Sequence, residues 1–139
     1  MQVNSKSNNT VTLYVNGRKY ENWLDVSITC ALQTLARTFT VSATRDKEDL
    51  TLGVKPGDSV QVFIGEDRVL TGYITKREVS YNASGSSIRI SGASKTVDLQ
   101  DCCMPMEYPV SYKNQTNLQN LQSVCRTYDI KAVSYTHLR

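Results

Sequence analysis

The chain has 139 residues, 40% apolar and 21% charged, which supports one folded domain or one and a half and argues against intrinsic disorder. Sixteen Lys/Arg against 13 Asp/Glu leave a formal charge of +3, dispersed along the chain rather than clustered on one face as sequence-specific nucleic-acid recognition requires. The single His, His137, stands almost at the C-terminus, which argues against a His-centred active site or a multi-His metal centre. Thr and Val occur 14 times each and Tyr eight times, a composition that favours strands. Cys30, Cys102, Cys103 and Cys125 form no C-x-x-C pair, so zinc-ribbon spacing is absent and reduced, partly buried thiols are expected. No signal-peptide pattern and no membrane-length apolar run occurs, so the reading places the protein in solution, away from membranes.

Residues 1–9 read as a flexible, polar leader. Val11, Leu13 and Val15 then alternate with Thr12, Tyr14 and Asn16, and Asn16-Gly17 signals a type I′ hairpin returning over about Arg18 to Trp23. A third strand carries Val26, Ile28 and Cys30 on one face. Ala31 to Ala36 fits a short helical turn or a strand bend, and Thr38 to Ala43 reads as a strand with Phe39, Val41 and Ala43 on one side. After a charged, irregular stretch over 44–54, Pro56-Gly57-Asp58 forms a turn that launches a strand with Val60, Val62 and Ile64 alternating. Gly65 to Arg68 turns into a long strand, Val69 to Tyr81, that is polar after Ile74. Asn82 to Gly85 turns back into Ser87 to Ala93, with Ile88 and Ile90 inward. Short strands at this spacing predict a small β-barrel or sandwich over residues 10–100.

The pattern changes near residue 100. Asp101 to Tyr108 reads as a linker or domain entry. Thr116 with Gln119 forms a capping box ahead of a helix whose Leu118, Leu121, Val124 and Cys125 share one face, ending near Tyr128, with Ile130 opening another strand. Residues 104–131 therefore look like the start of a second, α/β domain. The expected fold is mainly β: a small β-barrel domain followed by the start of an α/β domain.

Motifs for catalysis are missing: no G-x-S-x-G, H-E-x-x-H, P-loop or G-x-G-x-x-G occurs. Asp98 and Asp101 are three apart, but general acid–base work needs a cleft and a positioned partner, so a solvated loop or helix cap is the better reading. Asp46, Glu48 and Asp49 lack the spacing of a calcium loop and read as a solvated charge run. Trp23 reads as a core or interface aromatic rather than a ligand contact. Lys76, Arg77 and Arg89 sit on the arms of a polar ribbon with Glu78 among them, which favours an exposed ribbon over a polyanion site. No cofactor and no metal is expected, and no catalytic residue is named.

Two blocks resemble the phage Mu-like baseplate hub proteins. The opening "TVTLYVNGRKYENWLDVSITCALQTLARTFTVSAT" is similar to the family's hairpin, Trp, short strand and aromatic-led strand, here Trp23, Val26 to Thr29 and Phe39. The second block, "KPGDSVQVFIGEDRVLTGYITKREVSYNASGSSIRISGASKTVDLQDCC", carries the family's PGD, "TGYI" and "G-x-S-K-T-x-D-L-x-D-C" patterns. The matching positions include Pro56, Gly57, Asp58, Gly72, Tyr73, Gly92, Lys95, Asp98 and Asp101. One departure is Ala93, where the family commonly has Arg. "YKNQTNLQNLQSVCRTYDI" is similar to the start of the family's next domain; the resemblance covers about residues 10–131.

The resemblance implies a structural role as an N-terminal part of a hub subunit, with these motif positions serving the fold. It implies a homotrimeric ring in the full-length form, with tail tube and central spike proteins as partners and DNA passing through the opening. It implies a virion tail-baseplate location after assembly in the host cytoplasm. It also implies that the protein is not an enzyme. The last eight residues, "AVSYTHLR", resemble the translated end of a transposon-type sequencing adapter. Residues 132–139 are accordingly expected to be an artefact, with natural sequence to about Lys131 and His137 outside it. The alternative function is a stand-alone small β-barrel module binding an oligonucleotide or a sugar, which requires an aromatic-rich exposed sheet face.

Overall fold

The computed structural model describes residues 10–45, 53–82, 85–104 and 113–134. Among these residues seven strands run: β1 (Val11–Val15), β2 (Arg18–Tyr20), β3 (Asp25–Thr29), β4 (Thr38–Arg45), β5 (Ser59–Ile64), β6 (Asp67–Asn82) and β7 (Gly85–Ser94). They form one sheet in the order β2-β1-β5-β6-β7-β4-β3, every neighbour antiparallel. After β7 come a 3-10 turn (Lys95–Val97), a single helical turn α1 (Asp98–Asp101) and a longer helix α2 (Asn117–Thr127).

The mainly β expectation holds, and the barrel needs one correction: hydrogen bonds do not close the ring, because β2 and β3 are edge strands that do not pair. Chain geometry shows how far the sheet rolls. Five steps of extended chain from Tyr20 to Asp25 reach at most about 18 Å, whereas the outer strands of a flat seven-stranded sheet lie about 29 Å apart. The sheet must therefore curl until its edges approach. The pairings also make β2 and β3 run in the same direction. They form one descending path, kinked at Asn22 (φ 65°), which pairs with β1 above the kink and β4 below it. The barrel is joined covalently at its seam. The same kink explains why the return strand stops at Tyr20 rather than at Trp23.

Local chemistry sets the turns. Asn16 (φ 50°) and Gly17 (φ 79°) take the two left-handed positions of a type I′ turn, with Val15 opposite Arg18. Gly65 (φ 61°) opens the two-residue turn between Ile64 and Asp67, the type II′ pattern. In Lys55–Asp58, Pro56 and Gly57 (φ 92°) fill the second and third places of a type II turn, and the Asp58 N–H bonds the Lys55 carbonyl at 3.1 Å. Two register shifts against β6, at Val62/Phe63 and Ile74/Lys76, leave Val69 and Thr75 as extra residues. Bulges of this kind bend and twist a strand, here the central one.

Alternation then builds one core. Leu13 and Val15, Val60 and Val62, Leu70 and Ile74, Ile88 and Ile90, and Phe39 and Val41 all point inward, each at most 3% exposed. Ile64, expected inward, is 36% exposed at the end of its strand. Cys30 lies just past β3 and is exposed, as are Cys102 and Cys103; only Cys125 is buried, which corrects the expectation of partly buried thiols, while all four are free. Ala31 to Ala36 is a bend without helix, closed by the Thr34 N–H on the Ala31 carbonyl at 3.3 Å.

α2 starts as the sequence indicates, with Thr116 and Gln119 exchanging both capping-box bonds. It ends in a Schellman motif: the Asp129 N–H reaches the Arg126 carbonyl and the Ile130 N–H the Cys125 carbonyl, with Asp129 left-handed (φ 54°). Ile130 opens no strand among the described residues. The leader 1–9, the 46–49 charge run, linker residues 105–108, turn residues 83–84 and His137 lie outside the described residues.

Candidate assembly corner at the end of the barrel

Most of the motif positions fall into three physical groups. The first group is packing. Phe39 of β4 sits directly across from Gly92 of β7, and a Cβ on Gly92 would lie 2.4 Å from the Phe39 ring and 2.5 Å from the Tyr73 carbonyl. A glycine here lets the ring cover the strand. At Gly72 a Cβ would meet the Ala93 carbonyl oxygen at 1.9 Å, so β6 and β7 approach too closely there for any side chain. Tyr73 pairs with Ala93 and is half-buried; Ala93 itself is buried. Trp23 packs half-buried against the core from the seam, its indole N–H buried.

The second group is the turn. The Lys55 N–H donates to the Asp58 carboxylate at 2.7 Å, and this bond, with one to Asn16, holds the Asp58 carboxyl below the usual carboxylate range. The Gly57 N–H and Ile74 carbonyl (2.8 Å), with the Ile74 N–H and Asp58 carbonyl (3.0 Å), splice the turn onto β6. Pro56, Gly57 and Asp58 thus fix where β5 begins.

The third group is a corner built by Ser94, Lys95 and Thr96. The Arg37 N–H donates to Ser94 Oγ at 2.9 Å, Ser94 and Thr96 hydroxyls lie 2.7 Å apart, and Thr96 Oγ1 donates to the Leu35 carbonyl at 2.8 Å. Since the Thr96 proton goes to Leu35, the Ser94 hydroxyl is the donor of the pair. The result is a directed relay that clamps the approach to β4, reinforced by Arg37 Nη1 on the Val69 carbonyl (2.8 Å) and the Ser94 N–H on the Arg37 carbonyl (2.8 Å). Lys95 turns the other way. Its ammonium reaches the Asp129 carboxylate at 2.9 Å and the Asp129 carbonyl at 3.3 Å. It therefore grips the C-terminal end of α2, where a cation is favoured. That contact lowers the Asp129 carboxyl and raises the Lys95 ammonium from their ordinary ranges.

Asp98 and Asp101 bracket α1, where the Asp98 carbonyl accepts the Cys102 N–H at 3.1 Å. Among the described residues no group of three or more His, Cys, Asp or Glu converges on a metal-sized site. The polar ribbon splits between two faces. Lys76 binds Glu78 at 2.7 Å and Glu78 faces Arg89, while Arg77 lies opposite buried Ile90 on the other face. Lys76 hydrogen-bonds Glu78, with Arg89 adding a smaller pull, and together they hold its carboxyl below its usual range. Glu78 thus offsets Lys76 and Arg89, and Arg77 lies on the other face, so the three cations are not massed together.

Sequence reading missed the partners of this corner: Arg37, Leu35 and Asp129. Their spacing from Ser94–Thr96 carries no periodic signal, and only the fold brings them together. It also missed three exposed leucines that flank β3 in the chain, Leu24 before it and Leu32 and Leu35 after it.

Residues 10–94, from the start of β1 to the end of β7, match the N-terminal domain family described as Mu phage baseplate assembly protein GpP-like. The chain is 32% identical over 122 residues to the baseplate hub protein gp44 of Escherichia phage Mu, covering 88% of this chain and 32% of that protein. The 43 kDa tail protein of prophage MuSo2 from Shewanella oneidensis superposes with a TM-score of 0.76 at 33% identity, over 88% of this chain and 39% of that one. A tail protein from Neisseria meningitidis MC58 shares the fold, with a TM-score of 0.70 at 21% identity over 84% of this chain and 33% of that one. The chain spans about a third of the length of these relatives. With the family's match running the whole length of the rolled sheet, this chain belongs to the Mu phage baseplate assembly protein GpP-like family.

Proposed function

We propose that this chain is the N-terminal part of a structural subunit of a contractile-tail baseplate hub. The family match over residues 10–94 carries this reading, and the name printed for its relative from phage Mu, a baseplate hub protein, supports it. In this reading the full-length subunit forms a homotrimeric ring that joins tail tube to central spike, with DNA passing through the opening. The barrel supplies a rigid wall, and the motif positions from Trp23 to Asp101 maintain that wall. Residues 104–131 open a second α/β domain, held to the first by Lys95. The protein acts by assembly and not by catalysis, within the virion tail after assembly in the host cytoplasm.

Sedimentation tests the reading. The full-length subunit is expected to sediment as a trimer, and the 139-residue chain as a monomer at micromolar concentration because it lacks surfaces that complete the ring. A full-length protein that stays monomeric, or is missing from the baseplates of purified particles, overturns the assignment.

A further inference from the structure

The outer face of β2, β1 and β5 carries a groove. It is an open groove of about 540 Å³ whose lining includes Thr12, Tyr14, Lys19, Glu21, Gln61, Phe63 and Glu66. That volume is within the ordinary range of small-molecule sites. Strand alternation explains the lining: the residues between the core positions of β1 and β5 all face this side. Tyr14 and Phe63 meet edge to face, ring centroids 5.4 Å apart at 74°, and offer an aromatic surface. Beside it, Glu21 Oε1 accepts from Thr12 Oγ1 at 2.9 Å and from Lys19 Nζ at 2.7 Å. Those bonds hold the Glu21 carboxyl below its usual range, so it is an acceptor only.

We propose that this groove binds a neutral saccharide of one to three rings. The apolar face of a pyranose stacks on Phe63 and Tyr14, while its hydroxyls donate to the Glu21 carboxylate and exchange bonds with the Gln61 amide. Charge selects this class over the two obvious competitors. Glu21 and Glu66 outnumber Lys19 in the lining, so phosphates are repelled. Docking of another protein there would bury the Lys19–Glu21 pair, which is costly without full compensation. A small neutral ligand leaves the pair partly solvated, as it stands in the free groove, and needs only hydroxyl partners.

The test is a 15N-resolved NMR titration of this chain with three probes: an N-acetylglucosamine trimer, maltotriose and a thymidine hexanucleotide. At least one sugar is expected to give saturable shifts centred on Thr12, Tyr14, Gln61 and Phe63. Phe63→Ala is expected to weaken binding by about tenfold, the loss of one aromatic contact. Glu21→Gln, which keeps shape and removes charge, is expected to weaken it less while the spectrum stays that of the folded chain. Saturable shifts that survive both substitutions overturn the proposal, as does the absence of saturation with both sugars. Shifts at the groove that follow protein concentration without sugar, or tighter binding of the hexanucleotide there, overturn it too.

Discussion

The barrel and the segment after it are built from one chain by two different balances of forces. In the barrel, side chains from five strands bury one another almost completely, and the partly covered Trp23, Val26 and Ile28 seal its seam. In the segment from 113 to 134, α2 buries only Cys125, and Leu121 is 52% exposed on the helix's apolar face. The barrel is held by hydrophobic burial, which scales with area and is cooperative. The segment is held by discrete polar ties: the capping box, the Schellman bonds, Lys95 on Asp129, and the Tyr128 hydroxyl on the Cys103 carbonyl at 3.0 Å. The difference teaches where mutations count. Substitutions in the first region act globally, and those in the second act locally.

The largest effect is expected at Phe39. Removing its ring in Phe39→Ala empties the centre of the core and uncovers Gly92, for a loss of about 3–5 kcal/mol in urea unfolding. Gly72→Ala comes next. The clash there is with backbone, which cannot rotate away as a side chain can, so about 3 kcal/mol is expected, at the top of the usual overpacking range. A Gly72→Ala chain that melts like the parent would mean that β6 and β7 are not held as closely as the fold requires. Ser94→Ala interrupts the relay, leaving the Arg37 N–H and the Thr96 hydroxyl each short of a partner. A loss of about 2 kcal/mol is expected for a nearly buried hydroxyl. Thr96→Val should cost less, because Arg37 keeps its acceptor. The opposite cut sharpens the contrast: deleting residues 113–139 is expected to leave the barrel's melting transition nearly unmoved, measured by near-ultraviolet circular dichroism. A large drop would show that the tether carries global stability.

The legibility of the sequence follows the same division. Alternation at Val11, Leu13 and Val15 or at Ile88 and Ile90 is local, so strands and inward faces were readable. Turn chemistry at Asn16-Gly17 and Pro56-Gly57 was equally local, as was the Thr116/Gln119 capping box. The seam was not readable, because Asn22 is a single residue in an unusual conformation and nothing nearby announces it. The relay was invisible for another reason: Arg37 and Ser94 are 57 positions apart. The groove escaped notice because Tyr14 and Phe63 lie on strands that become neighbours only through the β1–β5 pairing. Outward residues of a strand look like surface until the partner strand is known.

The smallest predicted effect tests the polar side of the contrast most directly. Asp129→Asn keeps a residue that tolerates the left-handed position and removes the charge that Lys95 grips. Because the folded Asp129 carboxyl is lowered by that contact, its contribution is complete above the ordinary carboxylate range and is lost as pH falls from there through its lowered folded-state value. Glu21, Asp58 and Glu78 are lowered as well, so a global melt mixes at least these four titrations. Hydrogen exchange at the Asp129 and Ile130 amides isolates one of them, since these two N–H groups close the end of α2. In the parent, protection there is expected to fall on acidification, after correction for intrinsic exchange, while core amides such as Val62 keep theirs. In Asp129→Asn, protection is expected to be lower at neutral pH and to lose that acid-dependent step. If the variant kept the step, another group would be setting the pH response of the helix end, and the local tie between barrel and helix would not run through Lys95.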